Sequence, residues 1–181
     1  MKTFTLSLIL CLASLAAFAD TPTSDQVMAD AKAKAAADQK TIFVHFGASW
    51  CHWCHKLDDF LDQPEIKPVF DKYFVSVKLV VTEDEPHKAL ENAGADKFLE
   101  KLGGPQGIPY CAFLNADGSL IINSKRPTDA NPEGQNIGYP GEAEEVDWFL
   151  KMLKKAAPGM AADDLKKIET ALRAPAKTAK P

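Results

Sequence analysis

Cysteine is scarce in this chain, with four residues in 181. One of them, Cys11, falls in the N-terminal apolar segment, which leaves Cys51, Cys54 and Cys111 for the folded part. An odd remainder of this size argues against a disulfide scaffold and for one functional pair plus a spare thiol. An excess of positive charge is also missing. Lys and Arg number 21 against 25 Asp and Glu, a net charge of −4, so nothing here is built to hold nucleic acid. There is no internal repeat, and no second paired set of ligands that would complete a structural zinc site around the cysteines.

The apolar run near the start spans Phe4 to Ala16, preceded by Lys2 and followed by Ala17-Phe18-Ala19. A membrane-crossing helix needs roughly 20 apolar residues. This run is shorter and ends in an A-x-A pattern, so residues 1–19 read as a cleavable signal peptide. The expectation is a periplasmic or secreted protein with no stable membrane insertion after cleavage. Roughly 160 residues then remain, enough for a single domain with its own core.

Residues Ser24 to Lys40 are mostly Ala, Lys, Asp and Gln, which predicts a helix with Ser24 as its cap. Thr41 to Phe46 is β-branched and aromatic and stops at Gly47, a buried strand. From Cys51 to about Leu61, the apolar residues Trp53, Leu57, Phe60 and Leu61 recur at three- and four-residue spacing, so Cys51 stands near the start of an amphipathic helix. Pro64 and Pro68 bracket a short helical piece ending near Lys72, and Tyr73 to Val81 forms a second strand. Glu83-Asp84-Glu85 reads as a solvated loop and Pro86 to Leu102 as one helix. Strands Pro109–Leu114 and Ser119–Asn123 flank Asn115-Ala116-Asp117-Gly118, a hairpin signal. The Pro-, Gly- and Asn-rich stretch from Lys125 to Gly141 reads as a long irregular loop. Helices follow at Glu142–Ala157 and Ala161–Arg173, then a tail from Ala174 expected to be disordered. The expected layout is a signal peptide (1–19), a domain over 20–157, and a C-terminal helix and tail over 158–181.

The segment Cys51-His52-Trp53-Cys54-His55 carries the chemistry, and taken alone it supports two functions. Two thiols at this spacing at a helix start can cycle between dithiol and disulfide, with the first ionised near neutral pH by unpaired amides and the helix dipole. The same five residues also spell a c-type haem attachment site, with His55 as axial ligand. A zinc site built on the two cysteines and a histidine, and a non-catalytic binding or chaperone module, are the remaining alternatives.

The order helix, strand, dicysteine helix, strand, helix, hairpin, helix resembles the thioredoxin-like superfamily. Gly47-Ala48-Ser49-Trp50-Cys51-X-X-Cys54 resembles its active-site segment, and Gly107-Ile108-Pro109 resembles the segment carrying its cis-proline. The likeness covers roughly Ile42 to Leu153 and is nearest to exported bacterial members, with Pro64-Glu65-Ile66 after the dicysteine helix. It implies an α/β fold with a central mixed sheet of four to five strands, and a thiol:disulfide oxidoreductase whose redox group is the Cys51–Cys54 pair, with no other cofactor and no metal. Cys51 is then the nucleophile, Cys54 the resolving thiol, and Pro109 presents backbone to an extended substrate. Partners would be proteins bearing thiols or disulfides and a redox donor or acceptor protein. His45 stands where such proteins carry a buried acid, a place from which a histidine could pass protons near pH 7. His52 and Trp53 replace the usual Gly-Pro, and a cationic His52 would favour the reduced pair. Trp50, His52, Trp53 and Ile108 are expected at the docking surface, with Ile137, Gly138 and Tyr139 lining a groove. Cys111 reads as a packed core thiol.

Overall fold

The computed structural model describes residues 21–104 and 107–174. The segment read as a signal peptide and the tail beyond Ala174 lie outside the described residues, among which no helix is long and apolar enough to cross a membrane.

Helix α1 (Ser24–Asp38) leads into strand β1 (Thr41–Gly47) through Gln39 in a left-handed conformation. Its cap is Thr23 rather than Ser24. The Thr23 hydroxyl accepts from the Gln26 amide while Gln26 Oε1 accepts from the Thr23 amide, a reciprocal capping box. Ser24 instead donates its hydroxyl to the Ala93 carbonyl. Helices α2 (His52–Leu61) and α3 (Lys67–Tyr73) then carry the chain over one face to β2 (Phe74–Val80), which pairs parallel with β1. A parallel pair requires such a crossover, so α2 is fixed against the sheet with its first turn at the end of β1.

The expected helix from Pro86 to Leu102 is broken. A turn of 3₁₀ helix (Glu85–Leu90) and helix α4 (Ala95–Lys101) are separated at Gly94, whose φ of +85° no helix tolerates. Asn92 holds the break in place, accepting from the Val80 amide and donating to the Pro22 carbonyl. Strands β3 (Tyr110–Leu114) and β4 (Leu120–Asn123) form the predicted hairpin, and the sheet order is β2-β1-β3-β4.

The stretch from Lys125 to Gly141 is not irregular throughout. It folds as a second, two-stranded sheet of β5 (Lys125–Thr128) and β6 (Asn131–Asn136). Its strands lack apolar alternation because backbone pairing, not a buried face, holds them together. Gly134, at φ +77°, sits so close to Lys125 and Arg126 that a Cβ would lie 3.1 Å from their backbone. Helices α5 (Ala143–Ala156) and α6 (Ala162–Arg173) close the fold, and Ile168 and Leu172 of α6 are buried with α5 in one core.

Strand alternation splits the core in two. Ile42, Val44 and Phe46 face α1 and α4, against Met28, Ala35 and Leu99. Phe43, on the opposite face, meets Phe70, Phe113 and Phe149 among α2, α3, α5 and α6. Truncating a ring such as Phe43 to alanine should cost about 3–5 kcal/mol. β1 is therefore buried on both sides, and its C-terminal end is a rigid base for the turn that leads into α2.

Candidate active site

β1 ends at Gly47, where the backbone lies close to α2: a Cβ there would sit 3.0 Å from Cys54 Cβ and 3.2 Å from its sulfur. The close approach lets α2 begin directly above the strand end. Cys51 is the N-cap of α2, with extended backbone, and its Sγ accepts from the Cys54 amide at 3.2 Å. A sulfur in this position is stabilised as thiolate by the helix N-terminus. Cys54 lies one turn inside, and the two are joined as a disulfide. Cys51 retains more exposure than Cys54, 5% against 1%.

The Ile108–Pro109 peptide bond is cis, and the Ile108 carbonyl oxygen lies 3.7 Å from Cys51 Sγ. Pro109 is buried and Ile108 partly so. Beside them runs a cleft of about 290 Å³ lined by Trp53, Ile108, Pro109, Ile137, Gly138 and Tyr139, with Glu142 and Glu145 at one side. Tyr139 stacks on Trp53 with ring centres 6.0 Å apart, and His52 meets the same indole edge-on. Trp50 and Trp53 are 57% and 51% exposed, large apolar surfaces left open on either side of Cys51.

The turn before Cys51 is held by a residue whose local sequence reads as a solvated loop. Glu83 is buried, and its two carboxylate oxygens accept from the Ser49 amide and the Ser49 hydroxyl, each at 2.6 Å. Trp50 Nε1 donates to the Thr82 carbonyl at 2.9 Å, and Thr82 takes a left-handed φ of +55° to present it. From the helix side, His55 Nε2 meets the Ser49 carbonyl at 2.6 Å. A carbonyl only accepts, so this nitrogen carries the proton in this contact. The charge pattern Glu83-Asp84-Glu85 suggests solvation. Burial comes from a partner 34 residues earlier, which no local pattern reveals.

His45 is buried on β1, opposite Lys78 of β2 and Cys111 of β3. Its Nδ1 lies 3.7 Å from Asp58 Oδ1, and the other Asp58 oxygen pairs with Lys78 at 2.5 Å. Burial dominates its titration, with Lys78 acting in the same direction and Asp58 and Asp62 against it, so its pKa is lowered to about 4. Burial thus favours the uncharged imidazole over the protonated one. The cluster opens on a polar cleft of about 340 Å³ that also includes Asp62, Lys67 and Asp71. Cys111 is buried beside it, and burial pushes its thiol far above the ordinary range, with Asp58 adding to the effect. Its burial and raised pKa both favour the neutral, packed thiol. Of the expected site residues, Cys51, Cys54, Trp53, Ile108, Pro109, Ile137, Gly138 and Tyr139 gather around the disulfide and its cleft. Trp50 and His52 stand at the rim, and His45 is set below in the sheet.

A strand, a pinned turn, a helix-capping disulfide and a facing proline loop together define a disulfide-exchange protein of thioredoxin type. A family model described as thioredoxin-like matches residues 23–116, and the chain belongs to that family. Tryparedoxin of Trypanosoma brucei brucei is 30% identical over 115 residues, which cover 56% of this chain and 80% of that one. Similar solved structures include a disulphide isomerase from Xylella fastidiosa Temecula1, 28% identical, covering 59% of this chain and 75% of that one at a TM-score of 0.46. The oxidised C-terminal domain of DsbD from Neisseria meningitidis is 17% identical and covers 74% and 99% at a TM-score of 0.43. The chain is a thioredoxin-like thiol-disulfide oxidoreductase.

Proposed function

We propose that this protein is exported and exchanges disulfides with protein substrates through Cys51 and Cys54, the pair serving as its only redox group. The observation that carries the reading is the placement of Cys51 Sγ, at the cap of α2, accepting a helix amide and facing the Ile108 carbonyl. In the reducing direction, the Cys51 thiolate attacks one sulfur of a substrate disulfide. A Cys51–substrate bond forms, the substrate S–S bond breaks, and one substrate thiolate leaves. The Cys54 thiolate then attacks Cys51 Sγ, closing the 51–54 disulfide and releasing the second substrate thiolate. The substrate gains two electrons and the protein loses two. The reverse sequence oxidises a substrate dithiol.

Trp50, Trp53, Ile108 and Tyr139 offer the apolar contact that an extended or locally unfolded polypeptide would need. A second protein, a redox donor or acceptor, must return the pair to its starting state. Export rests on the N-terminal pattern Lys2, Phe4–Ala16 and Ala17-Phe18-Ala19. The direct test is insulin reduction driven by dithiothreitol. The native chain should accelerate it and a Cys51→Ser variant should not; equal rates for the two would remove the proposal. The reduction potential of the pair against glutathione then assigns the direction of flow, since about 30 mV corresponds to roughly 1.4 kcal/mol.

A further inference from the structure

The cleft beside the disulfide has two walls from distant parts of the chain. One is the Gly107–Pro109 loop and the other is Ile137 to Tyr139. Both are bonded to one side chain. Asn136, the last residue of β6, donates from Nδ2 to the Gly107 carbonyl at 2.9 Å and to the Pro109 carbonyl at 3.0 Å. Its Oδ1 accepts from the Ser124 hydroxyl at 2.7 Å and from the Gly138 amide at 3.3 Å. The orientation of the amide follows from these partners. Two carbonyls can only accept and one backbone amide can only donate, so a flipped Asn136 would set oxygen against oxygen and N–H against N–H.

Ser124 is fully buried and anchors this amide to the sheet. Its hydroxyl accepts from the Cys111 amide at 3.0 Å while donating to Asn136, its backbone amide donates to the Cys111 carbonyl, and its carbonyl accepts from the Ile137 amide. The chain thus runs from the interior of β3 through Ser124 to Asn136 and out to both walls. Asn136 takes the carbonyls of residues 107 and 109 and leaves that of 108, which faces Cys51 Sγ.

We propose that Asn136 is a positioning residue that holds the two walls of the substrate cleft as one unit. This rests on the protein-disulfide function proposed above. Asn136 touches neither sulfur, so it should govern how a polypeptide is seated without altering the dithiol itself. A misplacement of about 1 Å in a binding wall can cost on the order of a hundredfold in rate.

The test compares Asn136→Asp, which is isosteric but turns two donors into acceptors, with Asn136→Ser, which is too short to span the walls and serves if the first fails to fold. Thermal unfolding selects the folded variant. For the folded variant, kcat/KM toward insulin should fall roughly ten- to a hundredfold, mainly through KM. Its disulfide should still be reduced by dithiothreitol at a rate within about twofold of the native protein, and its equilibrium with glutathione should shift by no more than the same factor. Unchanged insulin kinetics in a folded variant would overturn the assignment, and so would parallel losses toward insulin and dithiothreitol, which would mean a general disturbance of the site. If the native chain itself fails to reduce insulin, the proposed function falls and takes this inference with it; an active native chain with indifferent variants removes the inference alone.

Discussion

Cys51 caps a helix in a turn pinned by polar side chains, whereas Cys111, the second residue of β3, is enclosed between the sheet and the packed helices. Their exposures are both small, 5% and 1%, so surface alone does not separate them. What separates them is the direction in which each environment pushes the proton. At Cys51 a helix amide points at the sulfur and favours the anion. Around Cys111 burial in the core and the nearby Asp58 carboxylate both disfavour a charge, and the neutral thiol wins. Reactivity here is a property of place within the fold.

The largest expected effect breaks or sustains that comparison directly. In the reduced, folded protein, iodoacetamide should label Cys51 faster than Cys111 by roughly three orders of magnitude or more. Each unit of pKa separation is about tenfold in thiolate fraction, and Cys111 must also wait for local opening. Mass spectrometry of peptides at successive times gives the ratio, and comparable rates would collapse the contrast.

The interior side can be probed through His45, the cross-strand neighbour of Cys111. The charged and titratable groups around it are Asp58 of α2, Asp62 just after that helix, Lys78 of β2 and Cys111 of β3. Its pKa falls from 6.5 to about 4 on folding, so the unfolded chain binds the proton first as pH drops. The stability present above pH 6.5 is therefore lost progressively as the pH falls from 6.5 toward about 4. Urea titrations at intervals across that range should show this slope, and His45→Gln should flatten it. A slope unchanged by the substitution would place the titrating group elsewhere.

The two regions are unequally legible in the sequence. Strand β1, the start of α2 and the β3–β4 hairpin follow from local periodicity and turn chemistry, which act between near neighbours and so leave a mark in the order of residues. Cys51, Cys54 and Pro109 are found by that route together with the family resemblance. Glu83 and Asn136 are not, because each acts on residues 27 to 34 positions away and sits in a segment whose composition reads as loop. β5 and β6 escape the pattern since neither has an apolar face. The charge state of His45 escapes it too, because it depends on burial and on Asp58, neither visible until the chain is folded.

Glu83 gives the next effect in size, on the loop side. Replacing it with alanine leaves the Ser49 amide and hydroxyl without their acceptor, and each such bond to a charged group contributes about 1.5–3 kcal/mol. Partial replacement by water in the opened space reduces the loss, so a destabilisation of about 2 kcal/mol is expected from urea unfolding. Because Trp50 is tied to Thr82 in the same turn, its fluorescence should also change in the native state, before unfolding begins. If Glu83→Ala matches the native protein in both measurements, the turn is held by the helix and strand ends alone.

The smallest effect belongs to Cys111→Ala. Removing one sulfur from a packed site should cost about 1 kcal/mol, less than a buried leucine truncation because fewer atoms leave. Turnover on insulin should stay within about twofold of the native rate, since the thiol contributes packing and no exchange chemistry. Cys111→Ser separates packing from polarity. It keeps nearly the same volume but buries a hydroxyl among Phe43, Phe113 and Phe149, which costs more than the cavity unless the hydroxyl finds His45 as a partner across the strands. A serine variant more stable than the alanine variant would therefore show that the His45 side of this core can accept a hydrogen bond. The core would then be less apolar than Cys111 makes it, and the difference between the two thiols narrower than their positions imply.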